Sequence, residues 1–299
     1  PDSKCMPPCG RKGKQVFTLT KVAVAGYNNS IRFRGGERMD KQRAIAAAAE
    51  TEEDRLLLAR LYDRLSRAEE RNIFAATGFL SPREQAITQR MLPHLPLVFF
   101  GGCEGAERRV ACYLPDYLTE DELTAPEGPL AAVRAVYYEK DALTHRDFLG
   151  SLMGAGIKRE TVGDIYVSAG QCDFLVTRPV LPYLLENLTS AGRTRLRLAE
   201  IPLAEVQRPA AEKREIRDTV PSLRLDCLVG AAFSMARGPA GQLIAAGKVA
   251  VNDLVCLKGD RQLKEGDRIA VRGFGKAELA QVGGATRKGR LSVTLARWI

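Results

Sequence analysis

The sequence predicts an α+β chain of three folded regions, and three observations predict it. Apolar residues recur at helical spacing over residues 40–76. Periods then mix over 94–202, where short β-branched and aromatic runs alternate with helix signals. The stretch 220–299 sets two short helix signals among several turn signals and carries an excess of basic residues.

The chain of 299 residues has room for two or three domains of about 100–200 residues each. Hydrophobic residues make up 45% and charged residues 27%, an ordinary globular composition. No run approaches the roughly 18 apolar residues that span a bilayer. The stretch PDSKCMPPCGRKGK lacks the apolar core of a secretory signal, so a cytoplasmic protein without a membrane partner is expected. The cysteines number 7, an odd count scattered along the chain, which does not suit a disulfide framework. Cys5 and Cys9 form the one close pair, and His94 and His145 are far from it, so free thiols are expected there rather than a metal.

Residues 1–38 show no sustained period and are expected to be disordered or a non-native leader. Gly35-Gly36-Glu37 must be encoded by a purine-rich stretch just before Met39, which resembles a bacterial ribosome-binding site. Translation is therefore expected to begin at Met39. The next region, 39–93, is expected to be helical. Its first helix is read over 40–76, and a second opens at Ser81, where Ser81 and Glu84 form a capping box and Pro82 suits the first helical position.

Region 94–202 reads as an α/β domain. LPLVFF (95–100) and RRVACYL (108–114) look like strands around the turn Gly101–Gly105. A Gly-rich loop after a strand can cradle phosphates, but that chemistry wants a helix next, and here a strand follows. A hairpin is the expectation. AAVRAVYYE (131–139) is a third strand, Thr144–Gly156 a helix, and 164–168 with 172–177 a hairpin across Gly170. A helix over 179–188 and a strand over 194–201 complete a sandwich with one helical layer, ferredoxin-like or RRM-like. Arg146, Lys158 and Arg159 could make a nucleic-acid contact here. His145, Arg146 and Asp147 have no evident partner for acid–base work. Residues 203–219 are charged, contain Pro209, and read as a linker.

In 220–299 a helix follows Pro221-Ser222, and a second runs from Pro239 to Ala246, with Gly247 suited to the left-handed C-cap. Asn252-Asp253 can take the positive φ angles of a tight hairpin, and Gly266-Asp267 marks another turn. The net charge of +9 is unevenly spread: thirteen Lys/Arg face six acids in 220–299, and eight face two in 1–38, which leaves the centre mildly acidic. A basic module on an acidic body suggests a polyanion-binding region.

This pattern resembles the S-four or αL RNA-binding domain. The matching residues are Arg224-Leu225-Asp226, Ala236-Arg237, Ala240, Leu243, Ile244, Gly247, Val249, Val251-Asn252, Lys258 and Gly266-Asp267-Arg268-Ile269. The family often has Ser where this chain has Ala236. The resemblance implies an RNA-facing surface with Arg224, Arg237, Lys248, Lys258 and Arg261 on phosphates. Gln242 and Asn252 could touch sugar or base, Asp226 would orient an arginine or cap a helix, and Arg287, Lys288 and Arg290 could extend the footprint.

From Met39 onward the order of modules is similar to the YlmH family. FLSPREQ (79–85), HRDFLGSLMGAGIKRETVGDI (145–165), TVPSLRLD (219–226) and TRKGR (286–290) carry that likeness. It implies a non-catalytic, monomeric RNA-binding protein that meets ribosomal RNA or tRNA on the large ribosomal subunit, in translation quality control or in cell division, without cofactor or metal. The alternative is an RNA-modifying enzyme, a pseudouridine synthase or methyltransferase with an appended S-four domain. Against it, the one RLD, at 224–226, lies inside the binding module, and no methyl-donor loop leads into a helix. A scaffold for assembly or division is a third class.

Overall fold

The computed structural model describes residues 40–209, 213–286 and 289–298. The expected leader, Met39, Cys5, Cys9, Arg287 and Lys288 lie outside the described residues.

The first unit holds α1 (Lys41–Ala48), α2 (Glu52–Arg71), β1 (Ala75–Leu80), α3 (Pro82–Met91), β2 (Leu97–Phe100) and β3 (Arg109–Tyr113). The helix expected over 40–76 is two helices and the start of a strand. Thr51 caps α2 with a capping box that includes Asp54, and this local bonding competes with continuing α1 through Ala49. Asn72 ends α2 in the left-handed conformation at φ +48. The capping box expected at Ser81 and Glu84 is present. Leu58, Leu65, Ile87 and Met91 bury the inner faces of α2 and α3 against β1 and β3.

β2 and β3 do not join the middle sheet as expected. They form a separate three-stranded sheet in the order β1-β3-β2. β1, AATGFL, has neither a clear alternation nor a helical period, so its pairing with β3 was hidden. The turn at 101–105 is the hairpin foreseen, with Gly102 and Gly105 at positive φ.

The middle unit runs β4 (Leu130–Val136), α4 (His145–Gly154), β5 (Val162–Ser168), β6 (Gln171–Thr177), α5 (Leu181–Asn187), β7 (Ser190–Ala191), β8 (Thr194–Arg195) and β9 (Arg197–Ile201). The sheet order β5-β6-β4-β9 with antiparallel neighbours is the ferredoxin-like split βαβ expected from the sequence. Both helices pack on one face, over Val133, Ala135 and Phe174. The opposite face meets the first unit, where Leu130, Ala132 and Leu175 pack with Phe79, Phe100 and Val110. Burying a side chain such as Phe79 stabilises by about 1.5–3 kcal/mol. Gly163 lets it in, since a Cβ there would stand 2.6 Å from the Phe79 ring.

The last unit contains β10 (Lys213–Val220), α6 (Leu225–Phe233), α7 (Arg237–Ala245), β11 (Val249–Val251), β12 (Leu254–Val255), β13 (Arg268–Val271), β14 (Gly275–Ala285) and β15 (Leu291–Trp298). They make a six-stranded sheet, β10-β15-β14-β13-β11-β12, with α6 and α7 on one face. The expected linker 203–219 is corrected here. Lys213 to Val220 form an edge strand paired residue for residue with β15. Their sequence, KREIRDTV, has only Ile216 and Val220 to bury, so the partner strand, not local pattern, sets the structure. Gly247 caps α7 at φ +69, and Asn252 and Asp253 both take positive φ, as the sequence suggested.

Candidate nucleic-acid interface

Asp226 stands in the first turn of α6, 7% exposed. Its carboxylate accepts from Arg224 Nε and Nη2 at 3.2 and 3.0 Å and from Arg237 Nε at 2.9 Å. Burial works against the charged carboxylate, but the hydrogen bonds from both arginines outweigh it, so the group titrates below its usual range. Arg224 is held firmly protonated by the same bond. The role foreseen for Asp226, orienting an arginine, is what the geometry gives.

The loop from Cys256 to Leu263 crosses the start of α6. Asp226 N donates to Gly259 O at 3.0 Å, Leu225 N to Arg261 O at 2.9 Å, and Leu263 N to Leu223 O at 2.9 Å. This lashing fixes Lys258 and Arg261, both exposed, beside the Asp226 clamp. Arg237 keeps 56% of its side chain in solvent, and both terminal nitrogens of its guanidinium are left to bind a phosphate. Arg224 is more enclosed, with its Nε and Nη2 turned to Asp226. Ala236 is the N-cap of α7 and supplies no side-chain bond, so the helix start is uncapped.

The remaining candidates scatter. Gln242 is exposed on α7. Lys248 lies past the far end of α7, with the helix's length of about 12 Å at 1.5 Å per residue between it and Arg237. There it rims an open cleft of 350 Å³ with Arg272, a cation the sequence reading passed over. Asn252, expected to touch sugar or base, is tied into the fold: its amide donates to Asp267 at 2.8 Å and accepts from Arg268 N at 2.9 Å. Arg290 is tied to Thr219 through both its Nε and its Nη2.

The second contact in the middle unit does not assemble. Arg146 is in the first turn of α4, and Lys158 lies beyond its other end. Arg159 turns back into the fold, where its guanidinium donates to Val162 O and Gly163 O. Arg108 bonds the same seam, to Val162 O, Phe79 O and Arg159 O. Burial depresses the pKa of both arginines. The Gly-rich turn is likewise structural: Cys103 Sγ lies 3.3 Å from Tyr166 Oη, which donates to Asp164 at 3.1 Å.

Among the described residues no helix is long and apolar enough to cross a membrane. Over residues 131–205 the chain matches the family model described as "Putative RNA-binding domain in YlmH". It is 34% identical over 224 residues to the ribosome-associated protein quality control protein P2 of Bacillus subtilis (strain 168), covering 74% of this chain and 86% of that protein. A solved structure, cell division protein ylmH from Streptococcus pneumoniae, is 21% identical and matches 52% of this chain and 96% of that one at a TM-score of 0.44.

Proposed function

The chain belongs to the YlmH family, and from that premise we propose that it is a non-catalytic, ribosome-associated RNA-binding protein. Its substrate is structured ribosomal RNA or tRNA on the large subunit, and its work is translation quality control. The observation that carries the reading is the Asp226 clamp, which holds two guanidinium groups together and leaves the ends of Arg237 free. Lys258 and Arg261 stand beside it on a loop lashed to the same helix. A fixed cluster of cations on a pair of helices suits the phosphates of folded RNA. The commitment of the Asp226 carboxylate to two arginines also speaks against a catalytic aspartate in the RLD motif.

Arg237→Ala tests this. Binding to ribosomal RNA should weaken, and the slope of log affinity against log salt should flatten by about 0.7–0.9. Unchanged affinity and slope would remove Arg237 from the interface. Mass spectrometry of ribosomal and transfer RNA from a deletion strain should show every modification present; a missing one would replace the binder with an enzyme.

A further inference from the structure

One end of the middle sheet's second face is bare. Along β4 the residues Leu130, Ala132, Arg134 and Val136 point to the side away from α4 and α5. Leu130 and Ala132 are sealed by the first unit. Arg134 is sealed next, by Asp173 and by the Glu205 carbonyl. The cover stops there. Val136 is 48% exposed, and Tyr138, two residues on, is 65% exposed.

The neighbouring edge strand brings charge to this bare end. Val136 pairs directly with Arg197 of β9. Leu196 is turned inward among the helix-facing residues, between Arg195 at the end of β8 and Arg197 at the start of β9. Both are exposed, and neither makes a side-chain hydrogen bond or ion pair among the described residues. Arg193 stands exposed at the tip of the β7–β8 turn. Lys140 Nζ lies 5.9 Å from the Tyr138 ring centroid, which adds a cation without closing the ring.

We infer that Val136, Tyr138, Arg195 and Arg197 form a platform for single-stranded RNA, separate from the helix pair of the last unit. An exposed ring beside an apolar patch offers a surface on which a base can stack, and such stacking tolerates any base. Arg195 and Arg197, two residues apart where β8 passes into β9, add two exposed guanidinium groups beside the ring, and guanidinium groups suit phosphate. The platform lies within 131–205, the stretch matched by the family model, and it gives that stretch a working face although most of its sheet is covered. A folded duplex would find no groove-sized partner on a strip this narrow, so the ligand is an unpaired strand.

The test uses the full chain, a short oligouridylate and a folded ribosomal RNA fragment. Tyr138→Ala should weaken oligouridylate binding roughly 5- to 150-fold, the range for one stacked base, with little change in salt slope. Tyr138→Phe keeps the ring and should bind as the parent does. The double variant Arg195→Ala, Arg197→Ala should lower the salt slope by about 1.4 on this probe. All three side chains are exposed, so melting temperatures should stay put. Oligouridylate binding unchanged in Tyr138→Ala, lost equally in Tyr138→Phe, or absent from the parent overturns the platform. Arg237→Ala on the folded fragment reads the helix pair separately, so either site can fail while the other stands.

Discussion

Two carboxylates in this protein make the same bond and put it to opposite uses. In the middle unit Asp173, 1% exposed, takes Arg134 bidentately at 2.8 and 2.7 Å, and a Gln207 N–H as well. Arg134 gives a further donor to Glu205 O, and the pair is closed. In the last unit Asp226 takes two arginines, and one of them keeps more than half its side chain in water. The chemistry of the pair is the same in both. What differs is where the guanidinium ends, against backbone in one case and in solvent in the other. A buried aspartate can therefore hold a fold together or hold out a hand, and only the exposure of its partner tells which.

The largest expected effect separates the two directly. Asp173→Ala leaves the half-buried Arg134 without its ion partner and should cost about 3 kcal/mol of stability, measured by urea unfolding. A loss below about 1 kcal/mol would mean that the closed pair is not structural. Asp226→Ala should cost less stability, about 1–3 kcal/mol, because its partners can turn to water. Its RNA binding should nevertheless fall about tenfold. This variant gains a unit of positive charge, so if bulk charge alone governed binding, affinity would rise.

The first unit offers a pH version of the comparison. Asp54 is held well below the usual carboxylate range by hydrogen bonds from Arg83 at 2.6 and 2.7 Å, against the opposing effect of burial, with help from the amides of Glu50 and Thr51. Its folded pKa lies below its unfolded value near 3.9. The stability it lends is therefore complete above about pH 4 and disappears as pH falls through the folded pKa. Asp54→Asn should lower the melting temperature at neutral pH and flatten its decline between about pH 4 and 2. Identical acid slopes in parent and variant would break the assignment. The smallest effect belongs to the open end of α7: Ala236→Ser should add about 0.5–1 kcal/mol by capping it, read as a rise in melting temperature.

Much of this was legible in the chain, for local reasons. The Ser81–Glu84 capping box, the Gly247 cap and the Asn252-Asp253 turn are each specified within a few residues, and each is where the sequence places it. The ferredoxin-like order of the middle unit follows from alternation strong enough to read. What the sequence hid depends on distant pairing. β1 and β10 have little pattern of their own, and each is a strand because β3 or β15 lies beside it. The clamp was half legible: Arg224 and Asp226 are neighbours, but Arg237 reaches them only through the angle between α6 and α7. Arg159 and Arg290 look like free cations in sequence, but in the fold Arg159 donates to backbone carbonyls and Arg290 to the hydroxyl and carbonyl of Thr219. Arg197 escaped notice because its exposure rests on where the first unit's cover stops.

The pairing of β10 with β15 also has a consequence in time. These strands bracket everything else in the last unit, so β10 leaves the ribosome long before its partner exists. Contacts this far apart in sequence form slowly, since closing the long loop costs entropy before any ladder bond repays it. During synthesis α6 and α7 can form early from local signals, while the sheet beneath them stays open at one edge. The unit should therefore mature late and in a single step, and a nascent chain stalled before Leu291 would carry its cations on an unfinished floor.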